Sequence, residues 1–276
     1  MTPLPVSENN PFQSLIRRPA IIQSEYEEYR EDRKERQTDH IVSGSFHRWS
    51  LDKILMQLNG PKEEYRFLDP RNCLCIWARP SSQVHDLITF VQEKLKDLVP
   101  SLWLMPPDCL HMTVLEIAYA QSEWQIEELV RTLQSSKDVT PSDIAAYPRS
   151  HPVRLVKPML SLDTAGLSLT FVPAVIEDEY ASPSEHYTYH HLRRDIFELV
   201  QQAKVPLGTR YRARDLTSAY VTIARFISHD GFSAKVYEGE MIDHRRVRSF
   251  VEEIDLINME LENKYWPRKG EIKEGG

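Results

Sequence analysis

Glycine is scarce in this chain, at nine of 276 residues. Neither GxGxxG nor GxxxxGK occurs, so the two common loops that cradle phosphate with bare backbone are excluded. Cysteine is scarcer, at three residues. Cys73, Cys75 and Cys109 are too few and too odd in number for a disulfide framework. Cys73 and Cys75 share one strand face, but a structural zinc site needs further ligands and no second Cys pair exists. No apolar run approaches the roughly 18 residues that a membrane helix needs. The start, MTPLPVSENNPFQSLIRR, has no signal-peptide-like apolar stretch. A basic excess is also missing: 34 Lys and Arg stand against 41 Asp and Glu, for a net charge of −7. An extended nucleic-acid surface needs the opposite balance, whereas a local basic pocket for a small phosphate-bearing ligand remains compatible. HExxH and a Ser-centred nucleophile elbow are absent too. These absences predict a cytoplasmic, reduced protein with no membrane association, no metal and no cofactor.

What is present suffices for a sizeable core, since 41% of the residues are apolar. Residues 1–20 hold Pro and Asn without a period and predict an extended or weakly ordered arm. EYEEYREDRKER, Glu25 to Arg36, has i,i+4 charge spacing and predicts a solvated helix. A short helix follows over 51–58. Then come a strand at 73–77, a helix over 81–98 with Ser81 or Ser82 as N-cap, strands at 102–105 and 110–117, and a helix over 123–133. Residues 134–150, with Pro141 and Pro148, predict a loop or a break between halves. Strands at 153–162 and 167–172 flank the turn 164–166. Residues 177–187 predict a surface loop. A helix over 190–202, a strand over 219–227 and a helix over 245–261 complete the order. The second half roughly repeats the first, which predicts an α+β protein of two similar lobes facing each other. The expected division is an N-terminal arm and helical extension (1–65) and a bilobal domain (66–276, with lobes near 66–150 and 151–262).

Two strands carry residues suited to chemistry. In Cys109-Leu-His111-Met-Thr113-Val, alternation puts His111 and Thr113 on one face and Leu110, Met112 and Val114 on the other. An imidazole beside a hydroxyl offers an acid/base next to a donor for a phosphate oxygen. The same triplet spacing recurs at His186-Tyr-Thr188 in polar surroundings, so the pattern alone is not specific. At the matching place in the second half, Tyr220-Val-Thr222-Ile-Ala-Arg225 puts Tyr220 and Thr222 on one face.

In these paired motifs the sequence resembles the 2H phosphoesterase superfamily, which includes RNA ligase/cyclic nucleotide phosphodiesterase-like proteins of bacteria and fungi. The resemblance covers roughly residues 70–260. It implies an α+β fold of two lobes with antiparallel sheets facing a central cleft and helices outside. It implies metal-independent opening of 2′,3′-cyclic phosphates or related phosphodiesters, with one His as base and the other as acid and two Thr/Ser hydroxyls on nonbridging oxygens. Carried over, His111 is the general acid/base, and Thr113 and Thr222 bind phosphate. Tyr220 stands where the second His belongs. A phenol ordinarily titrates near 10 and an imidazole near 6.5, so hydrolysis weakened by Tyr220 is the expectation. Two alternatives stand beside it. The cleft is repurposed for proton transfer, cyclisation or isomerisation of a metabolite, or the protein holds a nucleotide or metabolite without catalysis. In each case the partner is a small molecule or nucleotide.

Further candidates surround the motifs. Arg210, Arg212 and Arg214 alternate before the second motif; Arg212 and Arg214 line an anion site or decorate an edge strand. Tyr211, Trp77 and Trp103 stack on a planar ligand or form core and cleft wall. Cys109 lies on the His111 face as a thiol or as a small packed residue. His186, His190 and His191 form a local cluster, read as a polar loop entering a helix.

Overall fold

A computed structural model describes residues 5–16, 19–58, 71–174, 187–207, 219–236 and 239–267. Apolar period and capping set most elements. Ser81 caps α3 (Ser82–Leu98) by accepting from the Val84 amide, and Leu87, Ile88, Val91 and Leu95 are buried along one side. Before it, β1 (Asn72–Ala78) pairs antiparallel with β3 (Met112–Gln121) in a two-stranded sheet. The short β2 (Trp103–Leu104) leaves that pair and joins the second sheet, whose order is β2-β6-β5-β4. Here β4 (Leu155–Asp163), β5 (Gly166–Pro173) and β6 (Ala219–Arg225) run antiparallel. The architecture is α+β with antiparallel sheets.

The strand from the first half inside the second-half sheet breaks the simple repeat. Gln92 on α3 ties the junction together, donating to the carbonyls of Met105 and Ile223 at 3.0 and 2.9 Å. On the far side β4 is the sheet edge. Asn258 of α7 (His244–Tyr265) closes it, accepting from Leu160 N and donating to Leu160 O. A carboxamide thus replaces the missing neighbour strand at that point.

Two elements depart from expectation. Residues 134–150 include a helix, α5 (Pro141–Ser150), after α4 (Glu123–Ser135). Pro141 takes the first helical position, where its missing N–H costs nothing, and Thr140 and Asp143 form a capping box. The proline that reads as a break is a start signal. Two strands that no period marked, β7 (Ser233–Val236) and β8 (Gly239–Ile242), pair antiparallel.

The N-terminal extension is packed onto the body. Phe12 is buried, and Glu198 on α6 (Tyr189–Gln202) accepts from Ser7 N, Ser7 Oγ and Asn10 Nδ2. The helix α1 (Pro19–Val42) lies across β4 and β5 and meets α7. After it, Trp49 stacks on Phe226 at 4.0 Å between ring centres and also meets Phe46, Phe232 and Phe250. These aromatics join the extension to the end of β6 and to α7. A second short helix, α2 (Lys53–Leu58), is capped by Asp52.

Candidate functional site

The first motif sits at the start of β3. Trp77 on β1 is the cross-strand partner of Thr113, so the two share a face. The Trp77 ring stacks on the His111 imidazole, with centroids 4.1 Å apart and planes 16° from parallel. His111 Nδ1 lies 2.7 Å from the Cys109 carbonyl. A carbonyl only accepts, so Nδ1 carries a proton, and in the neutral ring the lone pair is on Nε2. This is the tautomer a general base needs. Cys109 is exposed and supplies its carbonyl, not its thiol, to the imidazole. Arg79 lies over the Trp77 ring at 5.5 Å and donates to the Asp108 and Leu110 carbonyls, holding the turn before His111. The Trp77 side chain is 50% exposed, so this site is open.

The second motif lies on β6 alongside β3, although no ladder joins the two strands. Side chains of α6 occupy two β3 carbonyls instead: Tyr189 Oη donates to Thr113 O and Arg193 Nε to Val114 O. Val221 and Ile223 enter the core while Tyr220 and Thr222 face the opposite way. The register between β5 and β6 then slips: Ser168 pairs with Thr222 but Leu167 with Ala224, leaving Ile223 as an extra residue. This bulge puts two successive buried residues, Ile223 and Ala224, on the core side. Arg225 is thereby turned onto the face of Tyr220 and Thr222, where strict alternation would place it opposite.

That face floors a cavity roofed by α1. Cross-strand rows form the floor: Asp163–Gly166–Arg225, Ser161–Ser168–Thr222 and the pair Thr170–Tyr220. From the roof come Tyr26, Tyr29, Arg30 and Arg33, one stripe of the helix. The empty space in the cavity is about 720 Å³, open solvent at its mouth included. Gly166 is required in the first row. A Cβ there would lie 2.3 Å from the Ala224 carbonyl oxygen and 3.1 Å from Arg225 Cδ.

The charges are unequal. Arg33 pairs with Asp163 at 2.6 Å, and the other oxygen of Asp163 accepts the Ala165 and Gly166 amides of the β4–β5 turn. Arg225 is paired through its backbone in the sheet, and its guanidinium makes no hydrogen bond or ion pair among the described residues. Its positive charge acts on Asp52: burial raises that carboxyl, but the Leu55 amide, Arg71 and Arg225 together hold it below its usual range. Arg30 is 5% exposed, donates through Nη1 to the Lys157 carbonyl at 2.6 Å and lies over the Trp266 ring at 4.7 Å. Its Nε is buried without a partner, with the nearest carboxylate oxygen, of Glu31, 3.9 Å away. Burial lowers the pKa of Arg30 below the ordinary guanidinium range.

Of the residues singled out from sequence, Tyr220 and Thr222 line this cavity, and Arg225 joins them. His111, Thr113 and Trp77 sit together at the start of β3, and none of the three is among the lining residues. Trp103 is half-buried on β2 opposite Arg225. Arg210, Tyr211, Arg212, Arg214 and His186 lie outside the described residues. His190 is buried against Tyr26, and His191 accepts the Thr188 amide. Sequence reasoning missed the roof. Its signal was Tyr26, Tyr29, Arg30 and Arg33, an aromatic and guanidinium stripe at helical spacing inside a run read only as solvated charge.

Compared with known proteins, the chain matches no family model, no curated protein and no solved structure.

Proposed function

We propose that this protein is a 2H phosphoesterase-like enzyme that carries out metal-independent phosphodiester or 2′,3′-cyclic phosphate hydrolysis. In this reading β1, β3, α3 and α4 form one lobe and β4, β5, β6 and α6 the other. The phosphate sits where the two motif strands meet. The observation that carries the reading is the course of β3 beside β6, which brings the two motif strands next to each other. His111 Nε2 takes a proton from the attacking water. As the new P–O bond forms and the ester P–O bond breaks, the Tyr220 phenol gives its proton to the leaving oxygen and regains one from solvent. Thr113 and Thr222 donate to the nonbridging oxygens. Tyr220 replaces a better acid/base, so turnover is slow. The stacking of Trp77 on His111 fixes the ring and leaves a half-exposed aromatic edge beside a base or sugar.

A second reading has one observation in its favour. The cavity draws its lining from α1, β4, β5 and β6, without His111. A cleft that binds a small molecule for non-hydrolytic chemistry, or only holds it, fits that lining.

The test is turnover of a 2′,3′-cyclic nucleotide panel in the presence of a chelator, with His111→Ala alongside. The expected outcome is slow hydrolysis that falls by about 10²–10⁴ in the variant, the usual weight of a general acid/base. A folded wild-type protein without turnover moves the conclusion to the second reading.

A further inference from the structure

We propose that the cavity beneath α1 binds a compact phosphate-class dianion, with Arg225 and Arg30 as charge donors and the hydroxyls of Ser168, Thr222 and Tyr29 completing its shell. The inference rests on the phosphate-handling part of the reading above. It assigns the work to α1, which lies outside the segment that carries the family resemblance.

A sheet face covered by a helix is ordinarily apolar, because polar groups lose water there. Here the covered face bears Ser161, Ser168, Thr170 and Thr222, and the helix answers with tyrosines and arginines. Some of these groups are satisfied internally: Thr170 Oγ1 donates to the Met159 carbonyl, and Arg33 is neutralised by Asp163. Others are not. The hydroxyls of Ser168, Thr222, Tyr29 and Tyr220 and the Arg225 guanidinium make no hydrogen bond among the described residues, and Arg30 Nε is buried without one. Ser168, Thr222, Tyr29, Tyr220, Arg225 and Arg30 line one space large enough for several waters, with Arg30 Nε itself closed off from it.

The chemistry of this set selects the ligand. Guanidinium groups only donate, and their bonds to an anion are stronger than those to the hydroxyl oxygens of a neutral polyol. The ligand must be rich in acceptors. With Arg33 paired, two positive charges remain on the walls. Glu31 at 3.9 Å, together with Glu27 and Glu262, acts on Arg30, and Asp52, which is held by Arg71, acts on Arg225, but none of these carboxylates lines the cavity. A dianion balances the two charges. A tetrahedral group with several terminal oxygens uses guanidinium forks and hydroxyls from floor and roof together, whereas a planar carboxylate engages one fork.

The test is isothermal titration of the full chain with inorganic phosphate, and with succinate and glycerol as comparisons. Phosphate is expected to bind, succinate to bind more weakly and glycerol not at all. Arg225→Gln is expected to weaken phosphate binding by about 10- to 100-fold, the weight of a charged hydrogen bond. Ser168→Ala, a smaller change that carries the test if Arg225→Gln fails to fold, weakens it by less. Absence of phosphate binding, equal binding of succinate, or an affinity unchanged in the folded variants overturns the proposal. His111→Ala separates the two conclusions, since it lowers turnover by about 10²–10⁴ while phosphate affinity persists. Phosphate binding that depends on Arg225 in a protein without turnover leaves this site standing and removes the hydrolase. Turnover indifferent to Arg225 and Ser168 does the reverse.

Discussion

The two motif strands offer the same spacing to opposite surroundings. On β3 the pair His111 and Thr113 is partly exposed, with half-exposed Trp77 laid on the imidazole. On β6 the pair Tyr220 and Thr222 forms part of a floor under α1, with three arginines around it. A two-residue repeat sets which side a residue faces, but what covers that side comes from elsewhere in the chain. The open motif has a base with its lone pair free. The roofed motif has charge and hydroxyls but no imidazole. In the proposed reaction the first supplies the base and the second the acid, and a threonine from each holds the anion.

Restoring symmetry is the strongest way to break the comparison. Tyr220→His gives the roofed motif its own imidazole. Turnover of cyclic phosphates is expected to rise by about 10²–10⁴, measured as kcat under chelating conditions. Tyr220 is 45% exposed, so the smaller ring leaves no sealed void. A rate that does not move would mean that the two strands do not serve one substrate.

A smaller effect comes from filling the roofed side. The Cβ introduced by Gly166→Ala meets a backbone carbonyl and the Arg225 side chain, so β5 and β6 must separate locally. A loss of about 1–3 kcal/mol is expected, the usual cost of overpacking, read by urea denaturation. Phosphate affinity should fall with it while the His111 site on β3 stays intact.

The smallest effect sharpens the contrast between open and covered. His190 is 1% exposed against Tyr26 of α1, and burial, then the Arg193 charge and then His191, push its pKa down to about 3. Burial and Arg194 likewise push His191 down to about 4. Both rings stay neutral in the folded chain, whereas the unfolded chain protonates them below about 6.5. Stability is therefore undiminished above that pH and is lost as pH falls from there towards 4, by at most about 1.4 kcal/mol per pH unit for each ring. Denaturation midpoints at pH 7, 6 and 5 check this slope, and His190→Leu should flatten it.

Much of this was legible in the sequence. The helix α3, the strands β1, β4, β5 and β6, and the helices α6 and α7 follow from apolar period and caps, and the alternation that places Tyr220 beside Thr222 reads directly. The roof did not read, because the apolar contribution of α1 is small: Ile22 and Ile41 flank a stretch whose inner face is Tyr26, Tyr29, Arg30 and Arg33. Amphipathic reasoning looks for apolar stripes and passes over a helix that packs on a polar face. Nor did α5 read, because Pro141 stops a chain in one context and starts a helix in another. The place of β2 in the second sheet is a long-range pairing of two residues, too short to leave a pattern.

The extra residue at Ile223 has a consequence for how this protein tolerates change. Arg225 reaches the cavity because the strand is one residue longer there than its neighbour requires. Losing that residue would keep the composition almost intact and yet rotate the guanidinium away from the hydroxyls. The charge of the cavity is thus set by counting along β6 as much as by the kinds of side chain it bears, and insertions and deletions there are the changes to which the site is most sensitive.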